Sequence, residues 1–189
     1  MEKLKNIQKK LLHLQKINDT YLKDLKSLAK EMQTKQLKII SYFTYSLNLN
    51  HEQEGENFIV GSYHIKNLGC KPLHNPFICI KLGSEVVFDF SGKYFYQDTQ
   101  QKMKLANAWL RINDADNQEE FWLKPSNQQI LNPQETLTFQ NFQLKWIPTM
   151  SYVGNVTGFT YGDEMEEGMA ALNQISISGN VKEEDDHEE

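Results

Sequence analysis

The hydrophobic pattern changes period once, near residue 37. Before that point apolar residues recur in alternating steps of three and four: Leu4, Ile7, Leu11, Leu14, then Asn18, Tyr21, Leu25, Leu28 and Met32. This 3.5-residue repeat, held over about four heptads, is the signature of a coiled-coil helix. Residues 2–36 contain neither Gly nor Pro, and at ~1.5 Å per residue the helix would be about 50 Å long. Asn18 falls at a seam position equivalent to Leu4, Leu11 and Leu25. A lone seam Asn sets register and favours a parallel dimer at some cost in stability. Leu12, Ile17 and Leu22 flank the seam and widen the apolar face, which leaves open a trimer or a helix folded back on the rest of the chain.

Beyond residue 37 the period is two. Ile39, Phe43, Tyr45, Leu47 and Leu49 alternate, with Ser41 breaking the line. Phe58–Asn67 is a second strand, with Ile59, Tyr63 and Ile65 on one face and Phe58, Val60 and His64 on the other. A polar turn at Asn67-Leu68-Gly69 leads to Phe77–Leu82, and these two strands look like the central pair of a sandwich. Further strands are expected at Glu85–Phe90, Lys93–Tyr96, Phe121–Leu123, Thr136–Trp146, Tyr152–Tyr161 and Ile175–Ser178. In Thr136–Trp146 the apolar parity slips from odd (Leu137, Phe139) to even (Phe142, Leu144, Trp146), so a β-bulge near Gln140-Asn141 is expected. Residues 97–112 are ambiguous, with helix formers over Gln97–Trp109 and an apolar face of Met103, Ala106 and Leu110, and the acidic Gly162–Asn173 reads as a short helix. Many short strands between Gly, Pro and Asn turns indicate a sandwich or barrel, not a βαβ fold. The chain divides into a helix over 1–37, a β domain over 38–180 and a disordered acidic tail over 181–189.

Charge is distributed unevenly. Residues 1–38 carry ten Lys against four acids, residues 39–162 nine basic against eleven acidic residues, and residues 163–189 one Lys against ten acids; +6, −2 and −9 sum to −5. This balance argues against general nucleic-acid binding. No apolar run has the length of a signal peptide or a membrane span, so a cytoplasmic protein is expected. Abundant Lys, Asn and Gln associate the chain with a bacterium or its phage.

Two segments carry a family resemblance: Tyr63-His64-Ile65-Lys66-Asn67-Leu68-Gly69 followed by Pro76–Leu82, and Leu131-Asn132-Pro133-Gln134-Glu135-Thr136-Leu137. They resemble the immunoglobulin-like modules common in bacterial proteins, where an Asn-x-Gly turn links two strands and a Pro-Gly-Glu turn opens a later one. Gln134 stands where the family usually has Gly. The resemblance covers residues 58–147 and implies a mainly β, immunoglobulin-like antiparallel β-sandwich behind a long N-terminal α-helix. It implies a fold used for adhesion, assembly or binding, and no active site.

His64, Cys70, His74 and Cys79 are residue types that zinc accepts. Their spacings of five, three and four intervening residues lack the close Cys pair of a structural zinc knuckle, and the simpler reading is two strand residues and two loop residues. A Cys70–Cys79 disulfide is sterically conceivable, but a cytoplasmic chain keeps both reduced. Asp114, Asp116, Glu119 and Glu120 form an acidic loop, read as solvated charge before calcium ligands. Phe88, Phe90, Tyr94, Phe95 and Tyr96, with Trp109, Trp122 and Trp146, read as core before recognition surface. There is no nucleophile elbow and no glycine-rich phosphate loop. The expectation is a non-enzymatic homo-oligomeric assembly or adaptor protein without a cofactor, its helix for oligomerisation and its head for an unknown protein partner. The alternative is a small ligand- or metal-binding module at Phe58–Leu82.

Replacing Asn18 by Leu is expected to raise the melting temperature by several degrees and to blur the oligomeric state into a mixture, read by light scattering. An unchanged mass and melting point would show that the stripe packs elsewhere.

Overall fold

The 33-residue run Glu2–Thr34 is a single helix, α1. The remaining described chain is strand and turn. The computed structural model describes residues 1–34, 36–50, 55–84, 88–96, 107–148 and 151–180. Several expectations fall outside those residues: the side chain of Met32, the tail from 181, the stretch 97–106 and residues 85–87.

Four strands make one sheet, in the order β1 (Ile39–Asn48), β2 (Asn57–Asn67), β10 (Thr136–Trp146), β5 (Asp89–Ser91). A larger sheet runs β12 (Met165–Ala170), β11 (Tyr152–Gly162), β4 (Phe77–Ser84), β8 (Glu120–Pro125), β7 (Trp109–Arg111), β6 (Tyr94–Tyr96), with β13 (Ile175–Gly179) also paired to β11. A short pair, β3 (Leu73–His74) and β9 (Ile130–Leu131), closes one end. All pairings are antiparallel except β6 with β7. The chain is thus a mainly β protein of packed antiparallel sheets with one N-terminal helix.

β2 and β4 are not hydrogen-bonded to each other, contrary to the central pair expected from the sequence. β2 lies between β1 and β10, and β4 between β11 and β8, so each is central in its own sheet. Their inward faces meet in the core: Ile59, Tyr63 and Ile65 from β2, Ile78 and Ile80 from β4, all fully buried. Aromatic rings fill the space between, with Phe90 4.3 Å from Phe121 and Trp109 5.5 Å from Phe139, centroid to centroid. Offset aromatic contacts of this kind add to the area they bury.

The Ser41 break in the apolar alternation of β1 has a polar cause. Tyr63 Oη donates to Ser41 Oγ at 2.9 Å and bonds Thr160 Oγ1 of the opposite sheet at 2.9 Å. Ser41, Tyr63 and Thr160 are all fully buried, so this small network satisfies three hydroxyls and ties the two sheets. The phenol approaches closely because Gly158 lies beneath it; a Cβ there would strike the Tyr63 and Phe43 rings.

The expected bulge is present. The β10–β2 register shifts between Phe139 and Phe142, and Asn141 takes a φ of 54°. Both Phe rings thereby enter the core. Gln134 also has a left-handed φ, 66°, a conformation that Gly adopts without steric cost.

The ambiguous stretch and the helix expectation are corrected. Trp109 and Leu110 belong to β7, with Trp109 and Arg111 inward at period two. Pairing to β8 prevails there over helix-forming composition, and Asn107, just before β7, has a left-handed φ of 61°; the rest of the expected helix, 97–106, lies outside the described residues. The acidic Gly162–Asn173 contains β12, a return strand on β11, and Gly168 at φ 75° does not fit a helix.

The turn at Asn67 joins the two halves. Asn67 is fully buried. Its Nδ2 donates to Lys71 O (2.7 Å) and Leu131 O (3.1 Å), and its Oδ1 accepts from Gly69 N (2.9 Å). Its backbone N donates to Glu135 O and its backbone O accepts from Gln134 N. Substitution by Ala would take the side-chain donor from the carbonyls of Lys71 and Leu131 and one of its two acceptors from Gly69 N, which also donates to Lys38 O. A loss of about 3 kcal/mol is expected in denaturant melts; a loss below about 1 kcal/mol would show the turn does not depend on it.

Candidate interaction surfaces

Among the described residues, α1 exposes a long apolar stripe. Leu4, Ile7, Leu11, Leu14, Tyr21, Leu25 and Leu28 are each 56–68% exposed. Asn18 lies exposed in the same stripe. Leu12 and Leu22 beside it are also exposed. The head, by contrast, has a closed core. An isolated helix gains little from propensity alone, so a stripe of this regularity calls for a partner.

The four candidate metal ligands lie apart. His64 is on the outer face of the four-stranded sheet, stacked on Tyr42 at 4.9 Å, with its ring nitrogens against Thr44 Oγ1 (2.8 Å) and Thr138 Oγ1 (3.1 Å). Cys79 is on the outer side of the other sheet, in register with Trp122 and Phe159, and fully buried beneath them. The two sheets stand between His64 and Cys79. Cys70 is exposed in the crossing segment. His74, on β3, is held by Glu164, whose Oε2 also accepts from His74 N at 2.9 Å. Among the described residues no three His, Cys, Asp or Glu are grouped to hold a metal. Both cysteines are free. Burial, reinforced by the Glu120 carboxylate, pushes the Cys79 thiol up to about 12, which removes it as a nucleophile near neutral pH.

The acidic loop after β7 already contains a cation. Arg111, 2% exposed, donates from Nε to Asn113 Oδ1 (3.1 Å) and from Nη2 to the carbonyls of Asp114 (3.0 Å), Asn117 and Glu120 (3.4 Å). Its plane lies 4.3 Å from the Phe121 ring centroid. The carbonyl oxygens that a calcium loop would use thus surround a guanidinium, and the carboxylates point elsewhere. Glu120 bonds Lys81 Nζ (2.8 Å) and Trp122 Nε1 (2.9 Å), while Asp114 Oδ1 accepts from Asp116 N (3.2 Å). Sequence reasoning missed Arg111. Its signal was a single Arg, the only one in the chain, two residues ahead of a polar loop.

The aromatic residues divide by sheet face. Phe88, Phe90, Trp109 and Trp146 are core; Tyr94 packs on it, Phe95 is half-buried and Tyr96 is exposed. Trp122 stands instead on the outer face, 5.2 Å from Tyr161, which stacks on Phe77 at 5.0 Å. Asp163 and Glu164 are engaged by Asn75 (2.8 Å) and His74.

No protein-family model matches the chain, and no curated protein does. Among solved structures it is similar to a cohesin module of a family 33 glycoside hydrolase from Clostridium perfringens: TM-score 0.41, 10% identity, 78% of this chain and all of that one. It is also similar to a GH20 exo-β-N-acetylglucosaminidase from Vibrio harveyi: TM-score 0.29, 8% identity, 75% of this chain and 18% of that one. Likeness at these scores assigns no activity.

Burial holds the His64 imidazole below its ordinary 6.5, so the folded state favours the neutral ring. The stabilisation this provides is complete above the unfolded value and is lost as pH falls through the folded value. Melting temperatures from pH 7.5 to pH 5 are therefore expected to fall less in His64→Gln than in the parent; equal slopes would remove His64 from the pH response.

Proposed function

We propose that the protein is a non-enzymatic, homo-oligomeric assembly or adaptor protein of the cytoplasm, in which α1 joins copies of the chain and an immunoglobulin-like head binds a partner protein. The observation that carries this reading is the seam itself: a 3.5-residue repeat whose apolar members stand exposed in the single chain. A repeat of that period matches another helix of the same kind, since each seam residue then enters a hole between four residues opposite. A membrane-surface role fits less well, because the apolar face lacks Trp and Phe. No described helix is long and apolar enough to cross a membrane.

The absence of enzymatic function is supported by the dispersal of the titratable groups. His64, Cys70, His74 and Cys79 have separate surroundings, and Arg111 is consumed in holding its loop. Joining heads through α1 gives the arrangement its use. Several weakly binding heads on one scaffold gain avidity without any new contact.

The test is a double substitution, Leu11→Asp with Leu25→Asp, in the full chain. Light scattering is expected to give a multiple of the 22.1 kDa chain mass for the parent and the single-chain mass for the variant, with the head's thermal transition retained. A parent that already has the single-chain mass would overturn self-association and make the stripe a site for a different protein.

A further inference from the structure

β1 is the edge of its sheet, and among the described residues only half of that edge is covered. Leu172 N donates to Ser41 O at 2.8 Å. One residue on, the Asn173 side chain acts as a surrogate peptide group: Oδ1 accepts from Phe43 N (2.8 Å) and Nδ2 donates to Phe43 O (3.0 Å). These bonds show which way the strand faces. The backbone groups of the odd-numbered residues of β1 point away from β2. The ladder to β2 continues unbroken from Ile39↔Asn67 to Asn48↔Phe58, so the same alternation carries to Tyr45 and Leu47. No hydrogen bond among the described residues meets their outward groups.

The side chains change at the same place. Ile39, Ser41 and Phe43 are buried, whereas Tyr45 and Leu47, of the same parity, are each 43% exposed. An open edge is usually protected by charge, Pro or a bulge. β1 has none of these: Ile-Ile-Ser-Tyr-Phe-Thr-Tyr-Ser-Leu-Asn is uncharged and in continuous register. β12 differs, since it carries Glu166 and Glu167. β13 differs too, because its Ile175 and Ile177 are already buried in the core.

The geometry points to strand addition: the Tyr45–Leu47 edge of β1 takes an extended, uncharged segment of a partner protein with apolar residues at alternate positions. Backbone donors and acceptors that recur every second residue are met together only by an extended chain. The protein's own 172–173 segment already occupies the neighbouring positions in that way. The absence of charge from Ile39 to Asn50 selects against Lys, Arg, Asp or Glu facing the edge, because such a residue would be desolvated with no counter-charge. This inference rests on the reading that the head binds a protein and supplies the place and the mode.

Amide hydrogen exchange on the full chain, alone and with the hexapeptide acetyl-Val-Thr-Val-Thr-Val-Thr-amide, provides the test. Alone, Thr44 and Ser46, which face β2, are expected to exchange roughly a hundredfold more slowly than Tyr45 and Leu47. With the peptide, Tyr45 and Leu47 are expected to slow by about tenfold or more. Leu47→Pro removes an outward donor without removing a β1–β2 bond and should abolish that slowing. If it disturbs the fold, Leu47→Lys, which keeps the amide, should reduce the slowing instead. No change on peptide addition would overturn the proposal. So would protection of Tyr45 and Leu47 in the peptide-free protein; if it grows with protein concentration, the occupant is a second copy. Leu11→Asp with Leu25→Asp should leave the peptide effect intact while changing the mass, so failure of the seam and failure of the edge are read separately.

Discussion

The carboxamide of Asn67 holds the corner from which the first sheet is laid out. It lies where β2 ends and the chain leaves the four-stranded sheet for β3 and β4. In one fully buried side chain it satisfies the amide of Gly69 and the carbonyls of Lys71 and Leu131. Its own backbone is tied to Gln134 and Glu135, the turn that opens β10. Two turns distant in sequence are thereby locked together, and β2 and β10 leave the corner in register. Leu68 and Gly69 donate in turn to Lys38 O, so the start of β1 is held at the same point. A buried polar group must be paired or it costs stability; here that requirement selects one way for the chain to turn.

The consequences run into the core and then to the surfaces. With β2 central in one sheet and β4 in the other, the inward faces supply aliphatic and aromatic residues and the outward faces take what remains. That division separates His64 from Cys79. It also gives Arg111 its place: β7 alternates inward at Trp109 and Arg111, so the guanidinium is buried beside Phe121, and the loop that follows must fold its carbonyls around the charge. Three hydroxyls within the core, those of Ser41, Tyr63 and Thr160, are satisfied by one another across the gap between sheets.

The two proposed interaction surfaces lie where this closure stops. α1 precedes the head and its apolar stripe is exposed. Among the described residues, Leu172 and Asn173 cover β1 as far as Phe43 and no further. One surface is a helix face suited to another helix, the other a strand edge suited to another strand. In both, the unmet requirement is of the kind that secondary structure satisfies.

Much of this was legible along the chain, because local periodicity follows from local geometry. The heptads of α1 and the period-two strands need no knowledge of the fold. The parity slip between Phe139 and Phe142 located the bulge, and the Asn67–Gly69 and Asn132–Glu135 turns marked two corners by their residue types. What periodicity cannot carry is partnership between strands. β2 and β4 are neighbours in sequence yet belong to different sheets, because the connection through Asn67 crosses between them. Residues 165–170 and Trp109–Leu110 read as helix by composition but are strands, since pairing to β11 and β8 outweighs propensity. The burial of Arg111, the separation of the four metal-ligand types and the half-covered edge of β1 arise from contacts between distant segments. Only the tertiary structure could decide them, because each depends on which distant segment satisfies a given backbone or charged group.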